Sequence, residues 1–327
     1  LSKYPDMHET RLQYARALLE QKQFKQSREE FQRLAKDNPD NPDLGFAIAM
    51  ISLQLKDLQG AEMQLRQELG KGRKDQSVVQ YYLGQLCEAK ENEDEAMAHY
   101  REVKGGEYQF AAQLRIAYLL GKGGKLDEAR QYLHQAQADN NQQRVQLVLV
   151  EAQLLREAKR AEDAYRVLQQ SLEKLPNHPD LLYETAMLAD RTGKPDVFEQ
   201  LMRKLIQIRP DQAHAYNALG YGLLERNERI PEAVQLVEKA LQLAPDDPAI
   251  MDSVGWGYYR SGRLDDGLKL LRRAFSGNPD PEIAAHLGEL LWVRGDKNEA
   301  RKIWQDSLKA NPGNEHLREA IKKFMPE

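Results

Sequence analysis

Small and bulky apolar positions recur along this chain at a fixed spacing. Between Ala249 and Pro312, Val254-Gly255 matches Leu287-Gly288, Gly262 matches Gly295, Gly267 matches Ala300, Leu271 matches Trp304 and Pro279 matches Pro312, each pair 33 residues apart. A repeat of this length is built from one supersecondary unit, and the amphipathic spacing inside it predicts two helices per unit. Numbering within the unit, position 8 is small on a first helix and position 20 is small on a second. Two antiparallel helices approach closely only where side chains at the crossing are small, and a large apolar residue at position 24 fills the space beside it. Proline at position 32 cannot continue the second helix and ends the hairpin.

The same register runs through the whole chain. Position 8 is Ala15, Ala49, Gly84, Ala117, Ala152, Ala186, Gly220, Gly255 and Gly288. Position 24 is Phe31, Leu65, Tyr100, Leu133, Leu168, Met202, Val237, Leu271 and Trp304. The closing proline is Pro39, Pro176, Pro210, Pro245, Pro279 and Pro312, and repeats two to four replace it with Gly70 and Gly72, Gly105 and Gly106, and Asn140 and Asn141. Small-8, small-20, bulky-24 and Pro-32 together resemble the tetratricopeptide repeat (TPR). The resemblance implies an all-α fold: a right-handed superhelical solenoid of about nine helix-turn-helix repeats. It is expected to occupy 1–327 as a single solenoid, with repeats starting near 8, 42, 77, 110, 145, 179, 213, 248 and 281.

Turns within repeats fall at Gly123-Gly124, Gly193, Gly262 and Gly295, where glycine supplies a left-handed backbone. Repeat seven has an extra residue in Asn227–Pro231, and Pro231 stands where a helix begins. Repeat six places Phe198 at the small position 20, just after Pro195, which predicts helices pushed apart or repacked, with a hinge as an open question. A last amphipathic helix, at 314–325, presents Leu317, Ala320, Ile321 and Phe324 on one face and is expected to cap the open end of the stack. Residues 1–7 show no comparable cap, and the chain begins at Leu1 rather than Met. The expectation is a fragment whose N-terminal part, with any targeting signal or anchor, is missing.

Composition narrows the function. Acidic and basic residues, 51 and 47, are interspersed and give a formal net charge of -4, which argues against binding by phosphate neutralisation. Cys87 is the single cysteine, so no intrachain disulfide forms; at position 11 of a first helix it reads as a buried small apolar residue. No apolar run is long enough to span a bilayer and no signal peptide is present. Chemistry is absent from the motifs. His8-Glu9 opens an apparent HExxH, but Leu12 stands at the fifth position. Gly121–Lys125 lacks the spacing and the Ser or Thr of a phosphate loop. The seven histidines show no ligand spacing and read mostly as surface residues. No catalytic residue, metal site or cofactor is expected, and the chain is read as a non-enzyme.

In repeats of this kind positions 2, 5, 9, 12 and 13 of the first helix line the concave wall. The resemblance therefore implies a peptide- or protein-binding face carrying Tyr81 in repeat three, Tyr118 in repeat four, Tyr183 and Met187 in repeat six, and Asn217 and Tyr221 in repeat seven. Asp252, Trp256, Tyr259 and Arg260 follow in repeat eight, and Glu289 and Trp292 in repeat nine. Aromatics with a polar edge suit such a groove, although packing between repeats is the alternative role for Trp256 and Trp292. The Lys and Asn pair by which some repeats clamp a chaperone's C-terminal carboxylate is missing, since Asn217 and Tyr221 hold those two positions.

The last third is more specific. Residues 217–262 and 282–304, through Asp252-Ser253, Gly255-Trp256, Tyr259-Arg260 and the run from Ala284 to Trp292, resemble bacterial outer-membrane TPR lipoproteins, most of all those that serve as adaptors of a periplasmic carboxyl-terminal processing protease. What this implies is a non-catalytic adaptor at the periplasmic face of the outer membrane. It would bring the protease together with protein substrates such as cell-wall hydrolases and promote their degradation, touching the membrane only through an N-terminal lipid anchor. The alternative is an envelope scaffold that holds cell-wall enzymes in one complex without proteolysis. Nucleic acid is not expected as a partner.

Overall fold

The structure, a computed structural model, describes residues 8–71 and 76–325. Gly72, one of the turn glycines, and the uncapped stretch 1–7 lie outside the described residues. All regular structure among the described residues is α-helical, and no helix there is long and apolar enough to cross a membrane.

The chain divides into two compact units, Leu1–Lys159 and Arg160–Glu327. The first holds α1 (His8–Glu20), α2 (Phe24–Asp37), α3 (Pro42–Gln54), α4 (Leu58–Gly70), α5 (Ser77–Ala89), α6 (Glu93–Arg101), α7 (Gln109–Lys122), α8 (Leu126–Gln135) and α9 (Asn141–Glu157). Four hairpins, α1/α2 to α7/α8, stack in order, and α9 packs on α7 and α8. The second unit holds α10 (Ala161–Lys174), α11 (Pro179–Arg191), α12 (Pro195–Ile208), α13 (Ala213–Glu225), α14 (Ile230–Leu243), α15 (Pro248–Arg260), α16 (Leu264–Gly277), α17 (Pro281–Arg294), α18 (Lys297–Ala310) and α19 (Glu315–Phe324). There α10 packs on α11, the hairpins α11/α12 to α17/α18 follow, and α19 covers α17 and α18.

The repeat register is a packing register. All nine residues at position 24 are buried, from Phe31 at 4% exposure to Trp304 at 0%. In the eighth hairpin Gly255 and Gly267 face each other so closely that a Cβ on Gly267 would lie 2.8 Å from the Gly255 carbonyl oxygen. In the ninth, a Cβ on Gly288 would lie 2.1 Å from Trp304 Nε1. These helices therefore touch through backbone and a single large side chain. In the first hairpin the small residue is polar, and Ser27 satisfies itself by donating to the Ala15 carbonyl at 2.7 Å.

Helix ends follow local chemistry. Each of the six closing prolines stands two residues beyond the last residue of a second helix. Gly124, Gly193, Gly262 and Gly295 have φ of +78°, +73°, +84° and +98°. Lys22, Lys56, Glu91 and Lys159 adopt φ of 58° or 59° at the same turn of other repeats, where an L side chain pays a steric cost. First helices are capped by side chains of Asn41, Asn140, Asp247, Asp280 and, on the last helix, Asn314.

Phe198 repacks rather than splaying its hairpin. The ring is 1% exposed, and α11 and α12 stay packed on each other. It turns toward the next first helix, where Gly222 leaves room: a Cβ there would meet Phe198 Cε1 at 2.8 Å. The Arg226 guanidinium covers the ring at 5.6 Å.

Candidate protein-binding surface

Stacking hairpins on one another sets first helices side by side. In the second unit α13 packs on α15, α15 on α17 and α17 on α19, so the terminal helix continues this row. One face of these four helices forms a pocket of about 240 Å³ lined by Glu225 of α13, Trp256 and Arg260 of α15, Ala285, His286 and Glu289 of α17, and His316, Glu319, Ala320 and Lys323 of α19. Ligand pockets for metabolites usually exceed 300 Å³; this one has room for one or two residues of a protein chain.

Trp256 forms one wall and is 5% exposed. Its indole stacks on His286 at 4.3 Å and 19° and lies 5.0 Å from the Tyr259 ring. Its Nε1–H donates to Glu225 at 3.0 Å. Arg260 sits 5.5 Å from the indole centroid and donates to Asn227 at 2.8 Å. Glu289 accepts from the Tyr259 hydroxyl at 3.1 Å and from Lys323 Nζ at 2.8 Å, which ties α15, α17 and α19 together. The Tyr259 phenol is pushed up to about 12 by its burial and by the Glu289 carboxylate. Tyr221 donates to Glu282 at 2.7 Å, and burial, with that carboxylate, pushes its phenol well above the ordinary range.

Beneath these lies a buried ionisable pair. His286 Nδ1 is 2.9 Å from Asp252 Oδ2, with the side chains 3% and 7% exposed. A carboxylate only accepts, so Nδ1 carries the proton. Burial opposes the charged imidazole, but the Asp252 carboxylate, with Glu282 and Glu225 farther off, outweighs it and holds His286 above its ordinary range. His286 Nε2 and Asp252 Oδ1 are both buried and have no hydrogen-bond partner among the protein atoms. Buried polar atoms are rarely left unmatched, and each such atom costs about 1–3 kcal/mol.

The residues expected on the concave wall fall into distinct places. Asp252, Trp256, Tyr259, Arg260 and Glu289 come together here. Tyr221 stands at the edge, 6.0 Å from the His286 ring. Asn217, Tyr183 and Met187 are half-buried on α13 and α11, outside the pocket lining, and Asn217 Oδ1 is buried without a partner. Trp292 lies in the apolar cluster beneath α19, 5.8 Å from Trp304 and 6.2 Å from Phe324, with Lys297 and Arg301 over its ring. In the first unit Tyr81 packs in a ring cluster with Tyr82, Tyr100 and Tyr108, and Tyr118 lies under Arg115 at 4.9 Å. Four of the seven histidines, His8, His134, His214 and His316, are exposed; His286 is the buried exception and the polar centre of the pocket. Its signal was Asp252, the acid one repeat earlier on the neighbouring first helix. Glu225, His316, Glu319 and Lys323 were also missed, because only the stacking order brings α13 and α19 to this pocket.

Family models described as tetratricopeptide repeat match residues 1–51 and 155–220 in one case and 114–179 and 255–315 in another, together well over half of the chain. The chain belongs to the tetratricopeptide repeat family. It is similar to the TPR repeat-containing protein PA4667 of Pseudomonas aeruginosa, 38% identical over 212 residues, which are 65% of this chain and 36% of that relative. The chain thus spans about a third of the length of that relative. A solved tetratricopeptide repeat protein from Parabacteroides merdae superposes with a TM-score of 0.54 at 15% identity, covering 86% of this chain and 97% of that one. A thermophilic TPR protein from Thermus thermophilus aligns with a TM-score of 0.49 at 22% identity, over 54% of this chain and 97% of its own.

Proposed function

We propose that this chain is a non-catalytic adaptor that binds protein segments on its row of first helices and brings a processing protease together with its protein substrates. The observation that carries the binding role is the pocket over α13, α15, α17 and α19. Two buried polar atoms, His286 Nε2 and Asp252 Oδ1, lack partners beside it, and an aromatic wall flanks them. Unmatched hydrogen-bonding capacity of this kind costs folding energy, which a bound partner recovers. The protease role rests on the resemblance of residues 217–262 and 282–304 to outer-membrane TPR lipoproteins that act as such adaptors. The substrates it implies are cell-wall hydrolases, and the place it implies is the periplasmic face of the outer membrane.

The test is retention from a bacterial envelope extract on the immobilised chain, with mass spectrometry of what stays bound, followed by addition of the chain to the purified protease with a retained hydrolase. Faster degradation of the hydrolase supports the adaptor. Cell-wall enzymes retained without a protease support a scaffold that holds them without proteolysis. Degradation at an unchanged rate removes the adaptor reading.

A further inference from the structure

The third hairpin holds a donor set that the binding surface does not use. Cys87, the chain's single cysteine, projects from α5 and is 1% exposed. Glu95 and His99, one turn apart on α6, converge on it. One ligand atom from each side chain, the Cys87 Sγ, a Glu95 oxygen and a His99 nitrogen, lies within 4.8 Å of the other two, and no other such trio occurs among the described residues. His99 is oriented from behind: Nδ1 is 2.7 Å from the Gln80 side-chain oxygen. With that oxygen accepting, Nδ1 carries the proton and Nε2 keeps a bare lone pair. Nε2 is buried, has no hydrogen-bond partner, and lies 3.8 Å from Glu95 Oε1. A lone pair and a carboxylate oxygen facing each other are both satisfied by a cation between them.

We propose that Cys87, Glu95 and His99 form a binding site for a single divalent cation of the zinc class, with its fourth position open. Thiolate, carboxylate and neutral imidazole are the donors zinc takes, at about 2.0–2.3 Å, so the observed spread closes by shifts of under about 1 Å for each donor. Thiolate and carboxylate together balance a 2+ charge; the thiol proton is released to solvent as the metal enters. Glu95 is also held by Arg66 through Oε1 and by Asn92 through Oε2 at 2.8 Å. Each oxygen keeps a second lone pair for the metal, and the Arg66 charge is shared with Glu62. Gln80 plays the outer-shell part common at metal-bound histidines. Glu95, 37% exposed, gives the ion a way in from solvent. The donors come from two helices at spacings that match no linear motif, so they are not legible as a site before the helices are packed.

The experiment titrates Co²⁺ into the tag-free, reduced chain and follows the thiolate-to-cobalt charge-transfer absorption, with Zn²⁺ then added as competitor. The expected result is one cobalt per chain, displaced by one zinc. Because Cys87 is the only thiol, the band reports this site. Gln80→Ala should weaken cobalt about 10- to 100-fold, the usual loss for an outer-shell partner. Glu95→Gln, which keeps shape and helix, and His99→Ala should weaken it at least as much, with circular dichroism confirming that the fold survives. No charge-transfer band at saturating cobalt overturns the proposal. So does a band whose affinity is the same in Glu95→Gln and Gln80→Ala, because the thiol then binds metal without its neighbours.

Discussion

Replacing Asp252 by Asn tests whether the centre of the pocket is the charged pair described above. The substitution keeps the side chain's shape and removes its charge. The pair is short, 2.9 Å, and almost wholly buried. A hydrogen bond to a charged group contributes about 1.5–3 kcal/mol, so the variant should lose about that much stability near pH 6. Dependence on pH is the sharper readout. An unfolded chain's histidine titrates near 6.5. In the native protein burial works against the imidazolium and Asp252 more than offsets it, raising the folded value. The native state then binds more protons than the unfolded one, so this stabilisation is complete below 6.5 and fades as pH rises through the raised value. In Asp252→Asn burial acts with little to oppose it, the folded value drops below 6.5, and the sign reverses: stability falls as pH drops toward the new value. All three tryptophans, at 256, 292 and 304, lie in this part of the chain, so urea unfolding followed by tryptophan fluorescence reports it directly. The quantity compared is native minus variant stability from pH 5 to pH 8. A difference that shrinks with rising pH is expected; one that stays level across the range refutes the charged pair.

Other substitutions test the remaining steps. Gly288→Ala places a Cβ 2.1 Å from Trp304 Nε1 and should lower stability by about 1–3 kcal/mol or more, read as a lower urea midpoint of the tryptophan signal. Lys56→Gly relieves a lysine at φ 58° and should gain up to about 1 kcal/mol in thermal unfolding of the whole chain. His316→Ala combined with Glu319→Ala changes only exposed side chains on the pocket rim; it should leave the melting temperature in place while lowering affinity for a retained partner by about fivefold or more. Trp256→Ala is a poorer probe, because this buried ring also packs the fold and its loss should cost about 3–5 kcal/mol.

The repeats were legible because one steric requirement recurs. A helix crossing tolerates only a small residue, and the cavity beside it demands a large one, so position 8 and position 24 announce each hairpin. Closing prolines are equally local, since each must follow the last helical residue. Phe198 was only partly legible: of the two outcomes expected of it, parting the helices or repacking, the structure shows repacking. Within its own hairpin the ring is too large, but the space it uses belongs to Gly222 in the next one, and that pairing lies outside the repeat. The pocket was half legible. Asp252, Trp256, Tyr259, Arg260 and Glu289 follow from helix phase, whereas His286 sits at a different phase and becomes central only through its neighbour helix. Trp292 shares the phase of the wall residues, yet α19 lies over it with Phe324, so phase alone did not settle its surroundings.

The place of the pocket follows from what α19 brings to the row of first helices. Inside a stack a first helix is held between two others, and even there Asn217 Oδ1 on α13 and Asp252 Oδ1 on α15 stay without partners. On the hairpin α17/α18 the next helix, α19, buries Leu317, covers Trp304 and offers His316, Glu319 and Lys323 to the wall. Lys323 reaches Glu289, while Nε2 of His286 is left without a counterpart. Covering the apolar face of α17/α18 and leaving Nε2 of His286 open beside it are thus two results of one helix. Removing α19 should therefore lower the stability of the ninth hairpin and abolish the pocket together, whereas His316→Ala with Glu319→Ala affects only the pocket.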